Sequence, residues 1–394
     1  MTEPHLDGFI SHRVTQLSPS GIRRFFDLIA NMTDVISLGV GEPDIATPWH
    51  IREQAIYAIE KGYTMYTSNA GLPELRHELA KYLEKHCGVS YNPESELLVT
   101  VGVSQGLDLA LRAILNPGDE VLVPDPSYVA YVPCVTLAGG QAVPIPTSSE
   151  YQFKLLPQDV EARLSPKSKA LLFGYPANPT GTVMSREELS QIAHLAKKHN
   201  LLAISDEVYA RLVYEGEHTC FSSLPHMKER TILLGGFSKA YAMTGWRIGY
   251  AAGPADLIQA MTKVHQYTML CAPIVSQMAA LEALKNGEDL VSEMAAEYDR
   301  RRHLIVQGLR QMGLPCPDPP GAFYAFPSIR PTGLSSEDFA QELLMEEKVA
   351  VVPGSAFGTC GEGHIRCCYA VSPTDIEEAL NRMARFVSRH RNHQ

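Results

Sequence analysis

The chain has 394 residues, of which 45% are hydrophobic and 20% charged, and 34 Lys and Arg stand against 44 Asp and Glu for a formal net charge of −10. That length exceeds one small core and suits a two-domain soluble enzyme, and the composition excludes a disordered chain. The acidic balance argues against nucleic acid or an anionic membrane as main partner, and no apolar run reaches the roughly 18–20 residues that a membrane span needs.

In chain order, Ser-Pro-Ser-Gly at 18–21 precedes an expected helix over 22–31, and a turn-rich segment runs from Leu38 to Asp44. Helix-period runs cover about 48–61 and 72–87. Strands then alternate with helices: Leu97 to Val101 is β-rich, 104–115 is helical with Ser104 as N-cap, and Asn116-Pro-Gly-Asp119 stops that helix before a strand at Glu120 to Val123. Further strands are expected at 170–174, 201–205, 231–235 and 248–252, with a helix at 185–199. Short apolar strands separated by helices indicate a largely parallel sheet covered on both faces. The last hundred residues differ: a long polar helix at 287–312, Gly321-Ala-Phe-Tyr-Ala-Phe326, a helix near 335–347, strands at Val349 to Val352 and 364–369, and a helix at 373–390. They read as an α+β unit joined by the N-terminal segment, so the expected division is 48–286 against 1–47 with 287–394.

The eight cysteines are scattered without C-x-x-C pairs and read as reduced thiols in a cytoplasmic protein with no signal peptide; the 14 histidines show no metal-ligand spacing, so no metal is expected.

The most informative stretch is 236–250, Gly-Phe-Ser-Lys239-Ala-Tyr-Ala-Met-Thr-Gly-Trp-Arg247-Ile-Gly-Tyr. A lysine that loses its proton, helped by burial beside another cation, can form a Schiff base with an aldehyde cofactor. An arginine fork eight residues on can hold that cofactor's phosphate. The stretch resembles the cofactor-lysine motif of the class I/II aminotransferases, fold type I of the pyridoxal-phosphate enzymes. Fold type I implies a large domain with a mostly parallel seven-stranded sheet flanked by helices, plus a smaller α+β domain.

The resemblance implies roles for further residues. Asp206, at the end of the strand 201–205, takes the cofactor's ring nitrogen, and Glu207 alternates to the other face. Tyr209 and Asn178, the latter in Asn-Pro-Thr-Gly181, donate to the cofactor's 3′ oxygen. The loop Thr100 to Gln105 cradles the phosphate through backbone N–H groups of Val103, Ser104 and Gln105, with Arg247 completing the clamp. Relatives often place a phosphate-binding hydroxyl where this chain has Gly236, and Ser238 is the candidate substitute. Tyr128 matches the aromatic that stacks on the ring. Arg366, with the backbone at Gly41 and the amide of Asn178, matches the site for the substrate α-carboxylate. Tyr66 matches a tyrosine that relatives lend to the neighbouring subunit's phosphate, which implies a homodimer with sites at the interface.

The implied activity is transfer of an amino group between an L-amino acid and a 2-oxo acid, in two half-reactions with ping-pong kinetics and Lys239 as general base and acid. Aspartate, alanine, aromatic and acetylated diamino acids all remain open as substrates. Arg23 or Arg24 could meet a distal carboxylate or form a solvated helix face, and Tyr267 with Met269-Leu270-Cys271 could line the pocket or belong to the core. The rivals are a C–S β-lyase on the same scaffold and a non-catalytic sensor of cofactor or amino acid; Lys239, Asp206 and Arg366 together favour the enzyme.

Overall fold

The structure is a computed structural model that describes residues 6–17 and 32–391. The helix expected at 22–31, with Arg23 and Arg24, lies outside the described residues.

The central sheet has seven strands: β2 (Leu97–Thr100), β3 (Glu120–Asp125), β4 (Gln141–Pro146), β5 (Ser168–Gly174), β6 (Leu202–Asp206), β7 (Thr231–Gly236) and β8 (Gly249–Ala252). Their spatial order is β2-β8-β7-β6-β5-β3-β4. All neighbouring pairs run parallel except those of β8, which is antiparallel to β7 and to β2. The strand period of two sends alternate side chains to opposite faces. Leu172, Ile204, Ile232 and Leu234 pack on one side with Leu107, Leu111, Ile258 and Met261 of the helices Gly102–Ile114 and Ala255–Thr268. Leu171, Phe173 and Ala203 face the other side with Leu189, Ile192 and Ala196 of the helix Arg186–Lys198. That helix opens with a capping box in which Ser185 and Glu188 satisfy each other's backbone N–H. Both faces are therefore dry, which is why these strands read as continuous apolar runs.

Strand β4 had no counterpart in the sequence reading. It is a parallel edge strand, largely accessible, and contains Pro144 and Pro146. Proline is tolerated there because an edge strand need not donate on its outer side, and the proline content hides the strand from a pattern search.

The C-terminal part builds a second core from the helices Glu288–Gln311, Ser336–Glu347 and Pro373–Arg391 around β9 (Tyr324–Ala325) and β12 (Ile365–Cys368). The single strand expected at Val349 to Val352 is two. β10 (Val349–Ala350) pairs parallel with β1 (Ile36–Ser37), and β11 (Val352–Pro353) pairs antiparallel with β12. The chain changes partner at Val351, and one apolar run serves both pairings because every residue in it is buried.

One contact fastens the two cores beside the strand ends. Asp125, at the tip of β3, accepts hydrogen bonds from Thr359 N–H, Thr359 Oγ1 and Cys360 N–H at 2.7–3.1 Å. The adjacent Gly358 has φ +137°, and a Cβ there would lie 2.0 Å from the Asp125 carboxylate, so the backbone can come this close only as glycine.

Candidate active site

A cavity of about 420 Å³ opens where β5, β6 and β7 end, and the segment 39–41, Tyr324 and Arg366 close its far side. Crevices beyond the carboxyl ends of parallel strands are where open α/β sheets collect ligands.

Strand β6 delivers Asp206 into this cavity. The residue is buried, its Oδ2 accepts the Tyr131 hydroxyl at 2.9 Å, and its Oδ1 accepts Val208 N–H at 3.3 Å. Burial raises its pKa to about 6 in spite of these donors, since a carboxylate loses more by leaving water than two hydrogen bonds restore. The Tyr131 hydroxyl reaches it because Gly174 lies between: a Cβ at 174 would sit 2.6 Å from that oxygen.

Lys239 follows β7 and is half-buried. Its Nζ donates to Gly41 O at 2.5 Å and lies 5.9 Å and 5.7 Å from the ring centroids of Tyr209 and Phe323. Burial lowers its pKa to about 8; the charges of Arg366 and Arg247 add to the effect, and Cys368 and Glu42 oppose it. A buried amine near two guanidiniums is the environment expected of a nucleophilic lysine.

At the opposite wall Val103 and Ser104 line the cavity at the start of the helix Gly102–Ile114. Ser104 is not the N-cap expected from sequence. The helix begins two residues earlier, because Gly102 with φ +74° makes the turn that a non-glycine residue would resist. Gln105 turns its side chain away, accepting Val101 N–H at 2.6 Å and meeting His265 Nδ1 at 3.0 Å. Arg247 comes in over this helix start, and a Cβ at Gly102 would lie 2.7 Å from its Nη2. Its Nη1 donates to Thr244 O at 3.0 Å, and among the described residues it has no carboxylate partner. A helix N-terminus with an unneutralised guanidinium beside it is a seat for an anion. Ser238 lines the cavity whereas Gly236 does not, and a Cβ at 236 would lie 2.8 Å from the Val103 side chain, so a residue with a hydroxyl there would require Val103 to shift.

Arg366 comes from β12 and is buried. It donates to Asn178 Oδ1 at 2.9 Å and to Gly39 O at 2.6 Å, while its Nε has no partner. Its guanidinium lies over Tyr324 and Phe357, 4.5 Å and 4.9 Å from their centroids. Tyr324 and Tyr209 share a hydrogen bond of 2.6 Å between hydroxyls. Tyr128 also lines the cavity, packed edge-on against Tyr131.

The cavity thus gathers Gly41, Val103, Ser104, Tyr128, Asn178, Asp206, Tyr209, Ser238, Lys239, Arg247 and Arg366 from the residues singled out in sequence, and leaves aside Gln105 and Tyr66. Tyr66 is 83% exposed. Of the stretch Tyr267 with Met269-Leu270-Cys271, none lines the cavity of the single protomer: Tyr267, Met269 and Leu270 are exposed and Cys271 is partly buried, and Asn69 Nδ2 donates to Leu270 O at 2.8 Å. Sequence reasoning missed Tyr131, Tyr324 and Asp125. Tyr324 was visible only as part of an aromatic run, and no local pattern marks a tyrosine as the partner of an aspartate 75 residues away.

The site thus combines, beyond the strand ends of a doubly covered α/β sheet, a lysine of lowered pKa, a helix start beside an unpaired guanidinium and a buried arginine fork. The chain belongs to the class I and II aminotransferases, whose family model matches residues 33–383. It is 55% identical over 382 residues to the Bacillus subtilis protein YugH, covering 97% of this chain and 99% of that one. It is 46% identical to an aspartate aminotransferase of Pyrococcus abyssi, covering 96% and 98%. The crystal structure of an aromatic aminotransferase from Pyrococcus horikoshii OT3 superposes with a TM-score of 0.89 at 45% identity, covering 93% and 99%. The protein is a transaminase.

Proposed function

We propose that this transaminase carries pyridoxal 5′-phosphate on Lys239 and that the cavity residues divide the work of amino-group transfer between an L-amino acid and a 2-oxo acid. The observation that carries this reading is the convergence of Lys239, Asp206, Arg247 and Arg366, from three separate segments, on one cavity. The donor set fits the cofactor: the helix start with Arg247 and Ser238 suits a phosphate, and the buried Asp206 suits a protonated ring nitrogen. When bound, the cofactor supplies an electrophilic aldehyde carbon and an electron-withdrawing ring.

The chain's own groups do the rest. Asp206, held by Tyr131 and Val208, keeps the proton on the ring nitrogen. Tyr128 would cover the ring, and the backbone N–H groups of Val103, Ser104 and Gln105 would hold the phosphate. Asn178 accepts from Arg366 through Oδ1, which leaves its amide N–H free to donate beside Tyr209. Arg366 binds the substrate carboxylate with help from the backbone at Gly41, and its partnerless Nε is the polar group such a ligand can answer. Lys239 Nζ, neutral above about pH 8, takes the proton from the substrate Cα and later returns it. Each half-reaction releases its product before the next substrate enters, so the kinetics are ping-pong.

We further propose that the active unit is a homodimer in which Tyr66 of each protomer completes the other's phosphate site. The exposed band of Met65, Tyr66, Tyr267 and Met269, between 49% and 85% accessible, supports this reading, since a monomer rarely leaves such an apolar group in water. Residues 48–286 form the large domain, and 1–47 with 287–394 the small one; the separate C-terminal core supports that boundary. The eight unbridged cysteines support a cytoplasmic location. No helix of the described residues is long and apolar enough to cross a membrane.

The test is an absorbance titration of the purified protein with single amino acids and no oxo-acid acceptor. Conversion of a visible cofactor band into an ultraviolet amine-form band, with one equivalent of oxo acid released, supports the reading and names the substrate class. A band that persists while pyruvate and ammonia accumulate identifies a lyase. No band after reconstitution with pyridoxal phosphate overturns the Lys239 assignment.

A further inference from the structure

Behind the strand ends, on the side away from Lys239, lies a second cavity of about 360 Å³ lined by Tyr82, His86, Cys87, Glu207, Arg211 and His218. Three ligand-type side chains from three separate elements meet at its edge: Cys87 and Glu207 line this cavity, and Cys220 lines the wider groove beside it. Cys87 ends the helix Pro73–Cys87, Glu207 follows β6, and Cys220 precedes the turn Phe221–Ser223. The two Sγ atoms and a Glu207 carboxylate oxygen all lie within 4.8 Å of one another, and both cysteines are free. From this geometry we infer a site for one thiophilic divalent cation, zinc in the first place, held by Cys87, Cys220 and Glu207.

The surroundings are those of a ligand set. Glu207 Oε1 accepts Ser205 Oγ and Phe221 N–H, both at 3.0 Å, and Oε2 meets His218 Nε2 at 2.7 Å. A carboxylate offers about four lone-pair positions, so three are occupied and one is left for a cation. A histidine on the carboxylate and a hydroxyl on the thiol, Ser222 Oγ to Cys220 Sγ at 3.1 Å, fix the ligands from outside, as the outer partners of metal sites do. Arg211, which lines the same cavity along with Lys85, is engaged by Glu288 rather than by Glu207. An entry path exists: a wider surface groove shares Cys87, Gly216, Glu217 and His218 with the rear cavity. Two thiolates and a carboxylate select zinc over magnesium or calcium, which take oxygen ligands, and leave a fourth tetrahedral position for water from the cavity. Binding replaces two thiol protons, which pass to solvent, and changes no oxidation state.

The measurement uses tag-free holoenzyme, dialysed against a chelator, re-exposed to zinc chloride and separated from free metal before elemental analysis. One zinc per chain is expected in the parent and none in Cys87→Ser or Cys220→Ser, with cofactor absorbance and circular dichroism reporting that the variants are folded. Cadmium in place of zinc should give a sulfur-to-metal charge-transfer band that the same variants lose. His218→Ala should bind the metal about 10–100-fold more weakly, as loss of an outer partner does. A second measurement needs no variant: zinc should protect Cys87 of the parent from alkylation. Equal zinc in parent and variants, or equal alkylation with and without zinc, overturns the proposal. So does an intact mass two hydrogens lighter under non-reducing conditions, which would make the pair a disulfide.

Discussion

Asp206 and Glu207 are neighbours in sequence, carry the same charge and are both buried, yet they belong to different regions of the molecule. The side-chain alternation that continues off the end of β6 turns Asp206 toward the front cavity and Glu207 toward the rear one. In the rear, Glu207 is met by a histidine, a serine hydroxyl and a backbone N–H. In front, Asp206 has a tyrosine hydroxyl and one local N–H, and burial leaves its pKa near 6. A buried carboxylate with hydrogen bonds but no hydrogen-bonded cation is costly for a chain by itself and suits a cationic ligand atom. The comparison shows how two adjacent acids are given separate tasks: one is left for a ligand, and the other is answered largely by the protein.

Substitutions in the front region should have effects that those in the rear do not. The largest is Lys239→Ala, which should slow proton transfer at Cα by roughly 10²–10⁴-fold or more while leaving substrate binding in place; single-turnover absorbance separates the two. Arg366→Ala should lower kcat/KM by the equivalent of about 2–5 kcal/mol, mostly through KM, because a buried fork for the carboxylate is lost. Steady-state kinetics with two amino acids of different side chain should show the same loss for both.

The pH dependence has opposite signs at the two front groups. The Lys239 pKa is lowered to about 8, so attachment of the cofactor, which needs the neutral amine, should accelerate as pH rises through about 8 rather than through the ordinary lysine value. For Asp206 the folded pKa of about 6 stands above its ordinary 3.8. Between those values the folded apoenzyme holds a proton that the unfolded chain has released, so stability falls as pH rises across that window. Denaturant melts of apoenzyme should show this slope, and bound cofactor should remove it by pairing the carboxylate with a ring N–H⁺.

Tyr131→Phe removes one hydrogen bond to Asp206 and should cost about 0.5–1.5 kcal/mol in kcat/KM, visible as a shift in the pH profile of the cofactor band. The smallest effect belongs to the rear: His218→Ala should leave the cofactor spectrum and kcat/KM within about twofold of the parent, since its partner Glu207 faces away from the front cavity. A larger change there would mean that the two regions are coupled through β6.

The front region was legible in the sequence because its residues lie where strands end, and strand ends are marked by local pattern. An apolar run followed by Asp206, by Asn178 or by the turn to Lys239 says which side of the sheet those groups leave from. The helix start at Gly102 was misplaced by two residues because Ser104 is a good N-cap type, whereas glycine's access to positive φ decided the turn. Tyr131, Tyr324 and Asp125 were not legible, since each acts on a partner that only packing brings near. The same holds for the edge strand β4 and for the division of Val349 to Pro353 between two sheets, where burial is uniform and hydrogen-bond partner is the distinction.

What the sequence determined by itself is the chemistry along the chain: the succession of apolar strands and helices, the residue type at each strand end, and, through the resemblance of its motifs, the family and its reaction. Periodicity and motif are local, and these follow from local properties. Only the tertiary structure decided that Cys87, Cys220 and Glu207 share one space, that Tyr267 and Met269 face outward, and that Gly358 and Gly174 let Asp125 and Asp206 meet their donors. Each of these depends on the approach of segments far apart in the chain, and that approach is set by how whole faces pack, which no window of sequence contains.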